Sequence, residues 1–309
     1  QKIQKKVEVS TGDSGKDLDS RFSKPSKLKQ FSIYLKRNFT AKLSNTQYII
    51  LNLIQAPLLA LVVGLLTKYR VDEGYFFGSN KNFPSFIFMS IVVMLFMGMS
   101  LSAEEIIRDR FILKREKFLR LSRFSYLNSK AVFLVLVSLI QSLLFVLVSY
   151  WILDIGDLLI RYWFILFLTA VFANMVGLNI SAGLDSVVAI YISIPMMIIP
   201  QILLCGLIVP FDDIQSKNAK TNVVPIIGDA MVSRWAFEAL AVNQFKNNEY
   251  STYYYDIDRE QSDYLIKSDF IIPELLSLIE TTSYNLGTGL NPKSTKNYIR
   301  VISHEISSL

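Results

Sequence analysis

The sequence has one cysteine, Cys205, and one histidine, His304, in 309 residues. A single cysteine excludes an intrachain disulfide, and the two together supply neither a zinc or iron cluster nor a Cys–His nucleophile. Charge is scarce as well. Asp, Glu, Lys and Arg make up 19% of the chain and hydrophobic residues 51%, whereas a soluble domain carries about 25% charged residues. The apolar residues are gathered into blocks instead of amphipathic repeats, which places the chain among membrane proteins. It opens on Gln1 with no basic leader, apolar core and cleavage site. It is therefore expected to be a piece of a longer polypeptide.

Phosphate-binding loops are absent too. GTGLNPKST at Gly287 has Pro292 where the second motif glycine must precede the lysine, and proline removes an N–H from the cradle. GDSGKD at Gly12 has too few residues between its glycines, and Asp17 replaces the hydroxyl that would hold magnesium. His304-Glu305 is followed by Ser308, not by the second histidine of a zinc site. The acidic residues after 210 lack the spacing of a calcium loop. No catalytic or metal constellation belongs to this chain by itself, and no nucleic acid is expected as a partner.

What is present is five apolar runs, at 47–66, 84–101, 131–153, 158–180 and 187–209, each near the ~20 residues that cross a bilayer core. Tyr48, Tyr150, Trp151, Tyr162 and Trp163 lie near their ends, as interfacial aromatics do. Asn52, Gln55, Gln141, Asn174, Asn179 and Gln201 lie within the runs or at their edges. Such residues bond neighbouring helices or line a pathway. No Asp, Glu, Lys or Arg lies deep in a run, and Arg161 is close to an end. Ion-coupled transport needs intramembrane ionisable groups, so energy is expected from elsewhere.

Between the second and third runs lies AEEIIRDRFILKREKFLRLSRFSYLNSK, with eight Lys/Arg against four Asp/Glu. The segment before the first run has eleven against four, and the tail after 209 has nine against thirteen. The bias predicts a cytosolic N-terminus and an extracytoplasmic segment at 210–309. KLKQFSIYLKRNFTAKL carries Leu28, Phe31, Leu35 and Phe39 at helical spacing among lysines and Arg37. That pattern predicts a basic amphipathic helix on the inner leaflet. Residues 1–26 read as a polar linker. Past the runs, VVPIIGDAMVSRWAFEALAVNQF reads as a short amphipathic helix dipping toward the membrane surface, followed by a Tyr-rich stretch and two candidate helices at 272–286 and 296–309.

Glu105-Ile106-Ile107-Arg108-Asp109-Arg110 and Leu113-Lys114-Arg115-Glu116, followed by Tyr126 and Ser129-Lys130, resemble the first coupling helix of type-2 ABC exporters. The likeness is to the G-subfamily and its bacterial relatives. Asp109 stands for the family's usual Glu, and a glycine of the family's stretch is replaced. Residues 27–45 resemble the helix that leads from the nucleotide-binding domain, VGLNISAGLDSVVAIYISIPMMIIPQILLCGLIVPFDDI the fourth-to-fifth span unit, and SRWAFEALAVNQF the external re-entrant helix. Together these cover most of 27–246.

The resemblance implies an all-α membrane protein, the transmembrane domain of a type-2 ABC exporter with five spans present and a sixth missing. It implies a connecting helix at 27–45, a transmembrane domain at 46–209 with a coupling helix at 104–123, and a re-entrant helix and helical tail at 210–309. Glu105, Arg108, Arg110, Arg115 and Glu116 are the implied coupling residues. Phe88, Phe96, Met196, Met197, Leu203 and Leu204 are the candidate apolar lining of a substrate pathway. The implied partners are a nucleotide-binding domain in the same or an adjacent polypeptide, holding ATP and Mg, a second transmembrane domain in a homo- or heterodimer, and the bilayer. The tail has no cysteine and no glycosylation acceptor, which favours a bacterial inner membrane. A non-transporting receptor or scaffold with a partner-binding tail is the alternative, and a polysaccharide permease a third.

Overall fold

The computed structural model describes residues 25–68, 80–116, 122–155, 158–209, 226–247, 249–288 and 292–308. Residues 1–24 of the expected linker and 117–121 of the expected coupling helix lie outside these, as does the segment 210–225. Among the described residues every element is helical and none is a strand. The chain is an all-α membrane protein, dividing at Asn243 into two compact units.

The first unit begins with α1 (Lys27–Leu43), α2 (Thr46–Thr67), α3 (Phe83–Ser102) and α4 (Glu105–Glu116). It continues with α5 (Arg123–Leu153), α6 (Leu159–Gly183) and α7 (Val187–Leu203), then the single turn α8 (Ile226–Asp229) and α9 (Val232–Asn247), whose residues after Asn243 belong to the second unit. Short polar side chains set the helix starts. Ser26 accepts from Lys29 N–H at 3.3 Å, Asn45 from Tyr48 N–H at 3.1 Å, and Ser122 from Ser125 N–H at 3.3 Å, each satisfying a donor the helix itself leaves free. Pro84 sits in the first turn of α3, where its missing N–H costs nothing.

Among the described residues four helices are long and apolar enough to cross a membrane: α2, α3 continued through α4, α5 and α6. The run expected to continue to 209 forms a helix only as far as Leu203, 17 residues, about 25 Å at the α-helical rise. Pro195 and Pro200 interrupt its hydrogen bonding, and Gly206 turns the backbone at φ 86°. α5 starts eight residues before its apolar run, at Arg123.

α3 is the central helix. Of its apolar stretch 72% is buried, against 22% for α2, which leaves Leu51, Ile54, Leu58, Leu65 and Leu66 exposed along α2. α3 and α6 touch through small residues. A Cβ on Gly98 would lie 2.7 Å from the Ala170 carbonyl oxygen, and one on Gly177 would lie 2.9 Å from the Met99 carbonyl oxygen. Small residues allow this approach where hydrocarbon provides no hydrophobic drive between helices. Phe86, Ile87, Ile91, Met94 and Leu95 of α3 pack there with Tyr162, Leu166 and Ala173 of α6.

The second unit consists of α10 (Glu249–Ile266), one π-helical turn (Lys267–Ile271), α11 (Ile272–Thr288) and α12 (Pro292–Ser308). Pro273 lacks the N–H for a regular bond just after the π turn. α11 and α12 pack against each other. Leu275, Thr282 and Thr295 are buried, while Ile272, Leu276 and Ile279 remain exposed.

Candidate functional site

At one end of the first unit α1, α4, the start of α5 and the end of α6 meet around a charged cluster. α4 follows α3 after a single turn, so the last apolar residues of α3 hand directly on to Glu105. Its N-terminus is closed from another helix. Ser181 Oγ of α6 accepts from Ile106 N–H at 3.0 Å and Ile107 N–H at 3.1 Å. A carboxylate in the first turn suits the same helix end.

Glu105 is buried and is bonded on both oxygens. One pairs with Lys42 of α1, and the other lies 2.8 Å from Lys130 Nζ of α5. Lys130, also buried, lies 2.9 Å from Asp109, whose carboxylate accepts from Tyr126 O–H at 3.0 Å. Buried Glu105 and Lys130 are therefore compensated by each other and by the partly exposed Lys42 and Asp109, the condition on which buried charge is tolerated. Lys42 Nζ also lies 4.3 Å from the Tyr48 ring centre, a cation–π contact.

α1 lies along α5 through polar groups. Gln30, Tyr34 and Asn38, four residues apart, form its buried face. Gln30 Oε1 accepts from Ser122 N–H at 2.8 Å, Asn38 Nδ2 donates to Ser129 Oγ at 3.2 Å, and Ser125 O–H donates to the Lys27 carbonyl at 3.0 Å. Tyr34 meets Tyr126 edge-on with ring centres 5.6 Å apart. Burial first, then the Glu116 carboxylate, raises the Tyr34 phenol above its ordinary range, with Arg37 acting in the opposite direction. Of the apolar stripe on α1, Phe31, Leu35 and Phe39 are half-buried and Leu28 is exposed.

The five coupling residues named from the sequence separate into two sets. Glu105, Arg110 and Glu116 face neighbouring helices. Arg110 pairs with Asp185 and donates to the Leu184 carbonyl at 2.8 Å, while Glu116 lies 2.7 Å from Arg37. Arg108 pairs with Glu104 in the turn just before its helix and is exposed. Arg115 is exposed with no partner among the described residues, and Phe111 stands 78% exposed on the same helix. Lys42, Asp109, Lys130 and Ser181 were not among the candidates. Asp109 and Lys130 stood in the motif, but nothing local identified them as partners of Glu105 or of each other.

The six pathway candidates are dispersed. Phe88 is buried in α3, whereas Phe96 is exposed on it. Met196, Met197 and Leu203 are exposed on α7, and Leu204 is half-buried beyond its end. Met197 also lines a groove beside α6. The polar residues of the apolar runs mostly join helices. Gln141 Nε2 donates to the Asn52 carbonyl at 3.1 Å, Asn174 Nδ2 to Ser138 Oγ at 2.5 Å, and Gln201 Oε1 accepts from Ser233 N–H at 3.0 Å. Among the described residues no group of His, Cys, Asp and Glu is placed to hold a metal ion.

The family model for the ABC-2 type transporter matches residues 29–245. No curated protein matches the chain.

Proposed function

The chain belongs to the ABC-2 type transporter family, and we propose that it is the permease half of an ATP-driven exporter. It is a multi-pass membrane component of an ABC transporter. In this reading it moves an amphiphilic or lipid-like substrate out of the cytoplasm or inner leaflet by alternating access. It works as a dimer with a second transmembrane domain. A nucleotide-binding domain on the same or an adjacent polypeptide holds ATP and Mg. The N-terminus is cytosolic and residues 210–309 are extracytoplasmic in a bacterial inner membrane.

The observation that carries the reading is the attachment of α4. Ion pairs and hydrogen bonds fix this short helix to α1, α5 and α6, while Arg115, Lys114 and Phe111 remain exposed on it. A helix tied to three neighbours moves with them, so a push on its free face reaches the apolar helices instead of bending a loop. The ATP-binding domain supplies that push in this mechanism. The scarcity of ionisable groups deep in the spans supports an external energy source. The exposed apolar face of α7, with Val188, Ile192, Met196 and Ile199, is the surface that meets the second transmembrane domain and the substrate.

The test is coupling. In liposomes holding the full-length protein with its ATP-binding domain, Arg115→Ala and Glu116→Ala retain ATP hydrolysis. Each lowers export of a fluorescent single-chain lipid by about tenfold or more, 1.4 kcal/mol or more of lost coupling. Undiminished transport per ATP in both variants removes α4 from the mechanism.

A further inference from the structure

Between α6 and α7 runs a groove of about 550 Å³, bordered by Phe172, Val176 and Gly183 on α6 and by Ser193, Met197 and Gln201 on α7. The α7 residues recur every four positions, so the groove lies parallel to the helices instead of crossing them. From Phe172 to Gly183 is about 16 Å at the helical rise. One leaflet of hydrocarbon is about 15 Å deep. The groove thus has the length of a single acyl chain and a volume within the ordinary range for ligand sites.

Its polar groups are few and placed apart. Asn179, one turn before Gly183, borders the groove, and its carboxamide has no hydrogen-bond partner among the described residues. Asn179 is exposed near the end of α6 that meets the charged cluster, so its amide is open to a hydrogen-bonding headgroup. Gln201 lies toward the other end, held by its own oxygen to Ser233. Beside Asn179 there is room, because a Cβ on Gly183 would meet nothing within 4 Å. Among the described residues, no lining side chain is ionisable. At the nearby rim the Arg110 charge is already paired with Asp185.

We propose that this groove binds a single-chain amphiphile, with its chain along Val176 and Met197 and an uncharged, hydrogen-bonding headgroup at Asn179. An anionic headgroup would find no unpaired cation among the described residues that border the groove. The proposal rests on the permease reading in naming its substrate class, but binding itself needs no transport.

The test is photolabelling of the full-length protein in nucleotide-free lipid nanodiscs. The probe is a monoacylglycerol with a diazirine in its chain, compared with a lysophosphatidate of the same chain. The monoacylglycerol is expected to label α6 and α7 saturably, with unlabelled monoacylglycerol competing, and the lysophosphatidate about fivefold less. Met197→Trp, at a half-exposed position where a larger side chain fills the groove without disturbing the core, lowers labelling about tenfold. Asn179→Leu lowers it about fivefold, the effect of one hydrogen bond. Non-saturable labelling, labelling unchanged by Met197→Trp, or equal labelling by both headgroups overturns the proposal. If labelling fails while ATP-driven lipid export persists, the groove is refuted and the permease reading stands. If labelling behaves as expected and no export occurs, the groove stands and the permease reading falls.

Discussion

Lys130 Nζ lies 2.8 Å from Glu105 Oε2, with each side chain only 3% exposed. The first residue of α4 and a residue two turns into α5 therefore share one buried charge pair. Lys130 also serves Asp109 at 2.9 Å, so its removal leaves two carboxylates with one fewer cation. Lys130→Met is expected to lower stability by about 3 kcal/mol, the cost of stranding a buried partner. The double variant Glu105→Leu/Lys130→Met should lose less than the sum of the single variants, by about 1–3 kcal/mol. Thermal melting in detergent micelles checks both. Additive losses would show that the two groups do not act on each other.

The Gly98 and Gly177 contacts make a second prediction. Backbone atoms lie under 3 Å from the site of an added Cβ at both positions, and backbone cannot swing aside as a side chain can. Gly177→Val and Gly98→Val should each separate α3 from α6 and cost about 1–3 kcal/mol. Gly183→Ala, where nothing lies within 4 Å, should melt within about 0.5 kcal/mol of the parent. Equal melting of all three would remove the close crossing.

Ser233 ties the start of α9 to the end of α7. Its N–H donates to Gln201 Oε1 at 3.0 Å and its O–H to the Gln201 carbonyl at 2.5 Å. Ser233→Ala removes the hydroxyl bond alone, worth about 1 kcal/mol. Amide protection over 232–240 should fall about fivefold, while that of α3 stays as it was. Uniform loss across the unit would instead indicate global unfolding.

How far these features can be read from sequence depends on their range. The apolar runs are legible because hydrocarbon demands length and apolarity from every span, and α2, α3 and α6 begin and end within three residues of their runs. α7 stops short because Pro195, Pro200 and Gly206 act on backbone geometry, which hydropathy does not weigh. The face of α1 was less legible. Counting apolar residues selects Leu28, Phe31, Leu35 and Phe39, yet the fully buried stripe is Gln30, Tyr34 and Asn38. Their partners Ser122, Tyr126 and Ser129 lie about ninety residues away, and no local pattern joins a glutamine to a distant backbone N–H. Glu105 was named through the resemblance of its motif, but nothing local pairs it with Lys42 and Lys130, 63 and 25 residues away in the chain.

Asn174 and Ser138 decide between glue and pathway for the polar groups inside the spans. Asn174 is fully buried, and its Nδ2 donates to Ser138 Oγ at 2.5 Å between α6 and α5. A buried amide facing a neighbouring helix cannot touch a passing substrate without the bundle coming apart. Asn174→Leu removes one interhelical bond, and such bonds average about 0.6 kcal/mol in membrane bundles. The Oδ1 atom has no partner among the described residues, so its loss removes a buried unpaired acceptor and offsets part of that cost. Asn174→Leu is therefore expected to melt within about 1 kcal/mol of the parent. It should also leave the substrate dependence of transport-linked ATP hydrolysis unchanged. A shift in the substrate concentration for half-maximal stimulation, with melting unaltered, would move Asn174 from the packing of the bundle to the path of the substrate.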